Sequence, residues 1–432
     1  MTSRERIKTA FAYKEADKVP VDFGNFSCSN INADAMRKLR RYYGLEDRPV
    51  KIKSMFSMVG IMEEDLMDAM GCDIQELDPY TNAFGNINKD WKEWSYLGET
   101  VLVPGDCALK NDEKGGTYIY PLGDTTVEPS AYMPSGGFYF DNLERSPPYD
   151  EDNLNPLDQV EEFQIVPEEM LNFHKQRMEI YSKKERAILA TPGYFGLGDA
   201  TNIPGPNLRK PKGIRSIEDW YTTPLLHPDY VNEVFKINID RAIESFKKYF
   251  EAFGNNTDIV YICGTDFGSQ NGPMISPETF KTIYVPHYRR LTDWIHCNTE
   301  WKVIKHCCGG IFSLIPYMIE AGIDALNPVQ CSAEGMEPQR LKDTYGKDIV
   351  FWGGGVNTQK TLPFGTPQEV HDEVIERLRI FSKRGGYIFT AIHNIQANDR
   401  HGGILMPVAL LLVFLLHPKK KIFHGQSWKE LP

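Results

Sequence analysis

Eight short apolar runs recur along the chain, each followed by a stretch of helical spacing, and this alternation restricts the fold more than any other feature. The runs are VPVDF (19–23), DIQEL (73–77), AILAT (187–191), DIVYI (258–262), WKVIKH (301–306), IDALN (323–327), DIVFW (348–352) and GYIFT (386–390). Several are rich in β-branched residues, as strands buried on both faces tend to be. Between them, LIPYMIEAG (314–322) has helical spacing and stops at Gly322. The stretch 366–386 opens on Thr366, carries Glu369 three residues later and ends in basic residues and glycines, the marks of a capped helix. Strands alternating with helices in this number predict an α/β fold, a single (β/α)8 TIM barrel over residues 1–432. A doubly wound sheet fits less well, because no glycine-rich phosphate turn follows the first run.

Two stretches break the pattern. Residues of about 90–160 hold YLGETVLVP, GGTYIYPLG and GGFYFDN, short aromatic runs separated by Gly, Pro and Asp. They predict an antiparallel β insertion between the second and third strands, which either covers the barrel mouth or forms a peripheral hairpin. The end of the chain, 401–432, is apolar on every face from Ile404 to Leu416, is interrupted by Pro407, and then turns basic at Lys419 to Lys421. That composition is not the amphipathic helix that closes such a barrel, so this tail is expected not to form the usual eighth helix.

Composition excludes several classes of function. Hydrophobic residues make up 41% and charged residues 25%, an ordinary globular balance. The net charge of -11 repels nucleic acid and anionic membranes. The 8 cysteines are scattered rather than arranged as a disulfide framework. The opening MTSRERIKTAF has no apolar signal core, and the run from Ile404 to Leu416 is too short to span a bilayer comfortably. The expectation is a reducing, cytoplasmic compartment, no nucleic acid and no membrane.

The sharpest chemical signal is KHCCGG (305–310), at the end of the fifth run. Residues two apart on a strand face the same way, so His306 and Cys308 share a face. Imidazole and thiolate together suit zinc, and Gly309 with Gly310 lets the backbone turn away at once. Taken alone, H-x-C is a weak signal, because buried cysteine is commonly a small core residue. A second element, AIHNIQ (391–396), places His393 just past the eighth run, and Asn394 beside it is a candidate substrate contact. Three ligands from strand ends leave one coordination position open, which is the catalytic rather than the structural arrangement of zinc. A third element, GTDFGSQNGPMISPETF (264–280), offers Asp266 for substrate contact or proton transfer and Gln270 for substrate binding, while Ser276 reads as a helix cap. GYFGLG (193–198) lacks the spacing of a nucleotide loop and reads as a turn.

These motifs, with the opening TSRERIKTAFAYKEADKVPVDFG and with HCCGGIFSLIPYMIEAGIDALNPVQ, WGGGVNTQKTLPFGTPQEV and GGYIFTAIHNIQ, resemble the uroporphyrinogen decarboxylase superfamily. The resemblance runs from about residue 2 to about residue 400 and is strongest to the corrinoid-linked methyltransferase branch. It implies a β/α barrel and a zinc site of the H-x-C-then-C type, of which His306 and Cys308 match the first two ligands. The third position, usually cysteine in enzymes that methylate a thiol, is His393 here. True decarboxylases use no metal and carry an arginine-rich segment after the first strand. This chain reads DFGNFSCSN (22–30) there, without arginine, and FGLGDATN (195–202) where their tyrosine is expected. His393 falls where the decarboxylases also have an active-site histidine, so it does not discriminate.

The resemblance therefore implies a zinc-assisted methyltransferase. It would move a methyl group between a small methylated substrate, such as a methoxy compound, and a corrinoid (cobalamin) carried by a separate protein. Asp266 and His393 are its candidate catalytic residues, Gln270 and Asn394 its substrate contacts, and His306, Cys308 and His393 its metal ligands. The expected partners are the corrinoid protein, a small-molecule methyl donor and a second copy of the chain in a homodimer. The alternatives are a uroporphyrinogen decarboxylase-type tetrapyrrole enzyme and a non-catalytic barrel that binds a corrinoid protein.

Overall fold

A computed structural model describes residues 1–397, apart from Ser27 and Tyr194. The expectation about the tail 401–432 lies outside the described residues. Seven strands form one parallel sheet in which each lies beside the next in the chain: Ile74–Glu76, Ala187–Ala190, Ile259–Tyr261, Lys302–His306, Ala325–Asn327, Val350–Trp352 and Tyr387–Ile388. The crossovers carry the helices that a parallel sheet needs on its outer face. The longest is Pro228–Phe253, and Pro367–Phe381 begins with the Thr366–Glu369 capping box read from the sequence.

The first predicted strand, 19–23, is reduced to a single bridge between Val21 and Phe389. Phe389 N–H donates to the Pro20 carbonyl (2.8 Å), and Asp22 N–H donates to the Phe389 carbonyl (3.0 Å). On the opposite sheet edge, Asp73 N–H donates to the Val21 carbonyl (2.8 Å). One segment thus reaches both edges of the sheet, which is curled. Pairing stops there for two reasons. Pro20 has no N–H to give, and the Val21 N–H goes to the Asp73 carboxylate (2.9 Å) instead of to a backbone carbonyl.

Alternation along the strands separates two layers. Ile74, Leu189, Ile259, Ile304, Ala325, Val350 and Ile388 point inward and form one buried apolar cluster. Ile7, Ala10 and Phe11 of the helix Ser3–Phe11 belong to the same cluster. Arg6 of this helix pairs with Asp73, and Arg4 pairs with Asp258 (3.1 Å), both just ahead of strands. The helix therefore sits at the N-terminal ends of the strands. Phe26 packs edge-on to Tyr261 (4.8 Å between ring centroids) near the other end. Two residues beyond the inner apolar positions 304 and 325 come His306 and Asn327, on the same face at the C-terminal end.

Between residues 92 and 142 the chain forms six strands outside the parallel sheet. Four of them, Leu109–Asn111, Thr117–Ile119, Ala131–Met133 and Asp141–Asn142, pair antiparallel. The hairpin Lys92–Tyr96/Glu99–Val103 instead joins an earlier strand, Val50–Ser54, in parallel. The sequence reading did not anticipate this mixed sheet, because its partners lie about fifty residues apart. The region leans on loops that follow sheet segments. Asn32 Nδ2 donates to the Tyr96 hydroxyl (3.0 Å), and Arg145 donates to the Gly205 (2.6 Å) and Leu208 (2.8 Å) carbonyls.

One buried histidine makes stability sensitive to acid. His174, on the helix Glu168–Tyr181, donates from Nε2 to the Asp78 carbonyl (2.9 Å) and accepts the Tyr249 hydroxyl at Nδ1. Burial pushes its pKa down from 6.5 to about 4, so it is neutral in the fold. The unfolded chain takes up the proton first as pH falls. This contribution to stability is full above about pH 6.5 and is lost between there and about pH 4, an effect of about 3 kcal/mol. Urea titrations across that window should show stability falling with acid, with a shallower slope for His174→Gln. Equal slopes for the two proteins would exclude His174 as a source.

Candidate metal centre

The strand Lys302–His306 delivers His306 to the inner face at its C-terminal end, 4% exposed. Cys308 follows two residues later, and its Sγ lies 3.1 Å from His306 Nε2. His393 arrives from the far end of the chain, just past the strand Tyr387–Ile388. Its ring centroid is 5.3 Å from that of His306, with the planes near perpendicular. One ligand atom from each of the three side chains lies within 4.8 Å of the others. The segment carrying His393 is fixed by a parallel bridge between Ile31 and Ile395 and by Asn394, whose Oδ1 accepts the Asn30 N–H (2.8 Å).

The electrostatics suit a cation. Burial pushes the pKa of both His306 and His393 down to about 4, so each ring is a neutral ligand at neutral pH. Burial, reinforced by Asp266, holds the Cys308 thiol well above its usual range. A metal ion binding there displaces the thiol proton. Two imidazoles and one thiol around a common point form a donor set that fits zinc.

Asp266 lies beside this cluster. Its Oδ1 accepts the Cys308 N–H (2.6 Å) and sits 3.9 Å from His306 Nε2. Burial, with Asp199 adding to it, raises the pKa of its carboxyl group. Gln270 is placed differently. It is exposed on the rim, where its Nε2 donates to Gln359 Oε1 (2.8 Å) and its carbonyl accepts the Glu334 N–H (2.9 Å). Ser276 caps its helix through Thr279 N–H (3.0 Å), as its sequence context suggests.

The two glycines after the cysteines do more than turn the chain. Gly309 has φ of +87°, and a Cβ there would lie 2.2 Å from the Gly268 carbonyl carbon. Gly310 N–H donates to the Ser269 carbonyl (2.8 Å). Backbone thus meets backbone between the ligand loop and the hairpin Gly268–Ser269/Gly272–Pro273.

Several neighbours were not read from the sequence. Lys305 is fully buried, and its Nζ donates to the Thr265 and His306 carbonyls (2.7 Å each). This ties the Asp266 loop to the ligand strand. The Tyr221 hydroxyl donates to the Asp266 carbonyl (3.4 Å), and Cys28 Sγ stands 3.8 Å from the Tyr261 hydroxyl. Asn327 accepts from His306 Nδ1 at 2.7 Å. Its place at the end of IDALN, one strand from His306, was the signal available.

The model of the uroporphyrinogen decarboxylase (URO-D) family matches residues 208–400, a span that holds all three candidate ligands. Over this span, somewhat less than half of the chain, the sequence is similar to that family. A methylated-thiol–coenzyme M methyltransferase of Methanosarcina mazei is 29% identical over 108 residues. That stretch is 25% of this chain and spans 27% of the relative's length. A solved methyltransferase structure from Methanosarcina mazei superposes with a TM-score of 0.53 at 14% identity, covering 96% of this chain and 98% of that one. This likeness is one of fold. Among the described residues, no helix is long and apolar enough to cross a membrane.

Proposed function

We propose that the chain is a zinc-assisted methyltransferase that takes a methyl group from a small methoxy compound and passes it to a corrinoid protein acting in trans. The observation that carries this reading is the meeting of His306, Cys308 and His393 within 4.8 Å. One thiolate and two neutral imidazoles leave a bound zinc with net positive charge. Such an ion supplies Lewis acidity toward an ether or phenol oxygen, more than activation of a bound thiol. His306, Cys308 and His393 would hold it. Asp266 orients the substrate beside the ligands, and its partly buried carboxyl can move a proton to the oxygen that loses the methyl group. The sequence similarity to a methyltransferase over 108 residues supports the reaction class.

The tetrapyrrole reading finds less support. The segment 22–30 has no arginine. Of the arginines that could stand in, Arg209 pairs with Asp124 on the surface and Arg215 is buried against Glu162. A porphyrinogen with eight carboxylates would lack guanidinium partners among these. The test is a screen of methyl donors with zinc-loaded protein and a cobalt(I) corrinoid protein, followed by cobalt absorbance. Demethylation of a methoxy compound that stops when zinc is removed is the expected result. Metal-independent formation of coproporphyrinogen would overturn the reading in favour of a decarboxylase.

A further inference from the structure

We infer that Asn327 is a positioning residue that decides which nitrogen of His306 faces the metal. Three adjacent strands fix its surroundings. In the parallel register His306 lies beside Asn327, and Asn327 lies next to Trp352 on the following strand. Asn327 is completely buried, so neither end of its amide can turn to water. Its Nδ2 donates to the Trp352 backbone carbonyl (3.0 Å). A carbonyl can only accept, so the NH2 end of the amide must face Trp352 and Oδ1 must face His306. The reversed amide would set two oxygens against each other in a dry interior.

Oδ1 is 2.7 Å from His306 Nδ1 and can only accept. The proton of the neutral ring is therefore on Nδ1, and the lone pair is on Nε2. Nε2 is the atom 3.1 Å from Cys308 Sγ, inside the ligand cluster. Trp352 is fixed in turn, since its Nε1 donates to Asp22 Oδ2 (3.0 Å) and Asp22 is fully buried. A backbone carbonyl thus sets an amide, the amide sets a tautomer, and the tautomer presents a ligand before any ion arrives. The role of Asn327 in metal binding rests on the metal-centre reading, whereas the tautomer does not. Outer partners of this kind typically account for 10- to 100-fold in metal affinity.

The experiment uses the full chain with 15N-labelled histidine. In metal-free wild-type protein near neutral pH, the His306 signals should show Nδ1 protonated and Nε2 bare. Asn327→Leu keeps the shape but removes both hydrogen bonds, and should give a mixture of the two tautomers. Zinc affinity by chelator competition should fall 10- to 100-fold, with melting of the metal-free variant recorded alongside as a check on folding. A wild-type ring protonated at Nε2 overturns the inference without needing any variant to fold. So does a folded Asn327→Leu protein that binds zinc as tightly as wild type. A wild-type ring with bare Nε2 that takes no zinc at all upholds the tautomer lock and overturns the zinc reading instead.

Discussion

Cys308→Ala should strip the protein of tightly held zinc and of methyl transfer, while Cys307→Ala should leave both in place. The two cysteines are neighbours in sequence and point to opposite sides of the backbone. Cys308 Sγ faces His306 Nε2. Cys307 Sγ faces away and accepts the Phe267 N–H (3.3 Å) in a fully buried setting. Removing Cys308 leaves only two imidazoles, so the loss in affinity should exceed the roughly 100-fold that an outer partner is worth. Removing Cys307 deletes a buried hydrogen bond and a small side chain, at a cost of about 1 kcal/mol in stability. His393→Ala should behave like Cys308→Ala. Zinc content by elemental analysis, beside the cobalt absorbance assay, separates the two classes of variant. A Cys308→Ala protein that keeps stoichiometric zinc would remove the basis of the site.

The second large effect concerns a residue with no functional group. Gly309→Ala should lower both stability and zinc affinity. The conformation at φ +87° alone costs a side chain about 1–2 kcal/mol. The added methyl would also run into the Gly268 backbone, where no flexible side chain can give way. The ligand loop or the hairpin must then move, and Asp266 sits between them through the Cys308 amide. Gly44 is the control. Its φ is +65° and a Cβ there meets nothing within 4 Å, so Gly44→Ala carries the backbone strain without the collision. Chemical unfolding midpoints for the two variants should differ clearly, with Gly309→Ala the lower. Equal midpoints would mean that the close approach at Gly309 does not matter.

Much of this was legible because two simple periodicities carry it. Seven of the eight apolar runs became strands, since buried parallel strands leave an unbroken apolar signature. The H-x-C spacing was visible because two residues so close in sequence can face each other through local geometry alone, and Cys308 Sγ does lie 3.1 Å from His306 Nε2. The run 19–23 misled for the reason given by Pro20 and Asp73, a side chain competing for a backbone amide 52 residues away. Asn327 and Lys305 stayed hidden because their partners depend on the register between strands, which composition does not encode. Gln270 looked like a pocket residue from its motif. The hairpin it belongs to turns it toward Gln359 on the rim.

The short contacts between residues 20–22 and Phe389 bear on how such a chain matures. A chain emerging from the ribosome presents His306 and Cys308 long before His393, and the sheet stays an open ribbon until its two most distant segments find each other. Loop closure over that span is slow compared with local helix formation. Metal capture with all three ligands is then a late event, coupled to the joining of the ends rather than to the folding of any one part. A nascent chain stalled before residue 387 would hold two of the three ligand side chains, a curled edge with no partner and an apolar interior exposed on one side, the condition in which holding chaperones bind.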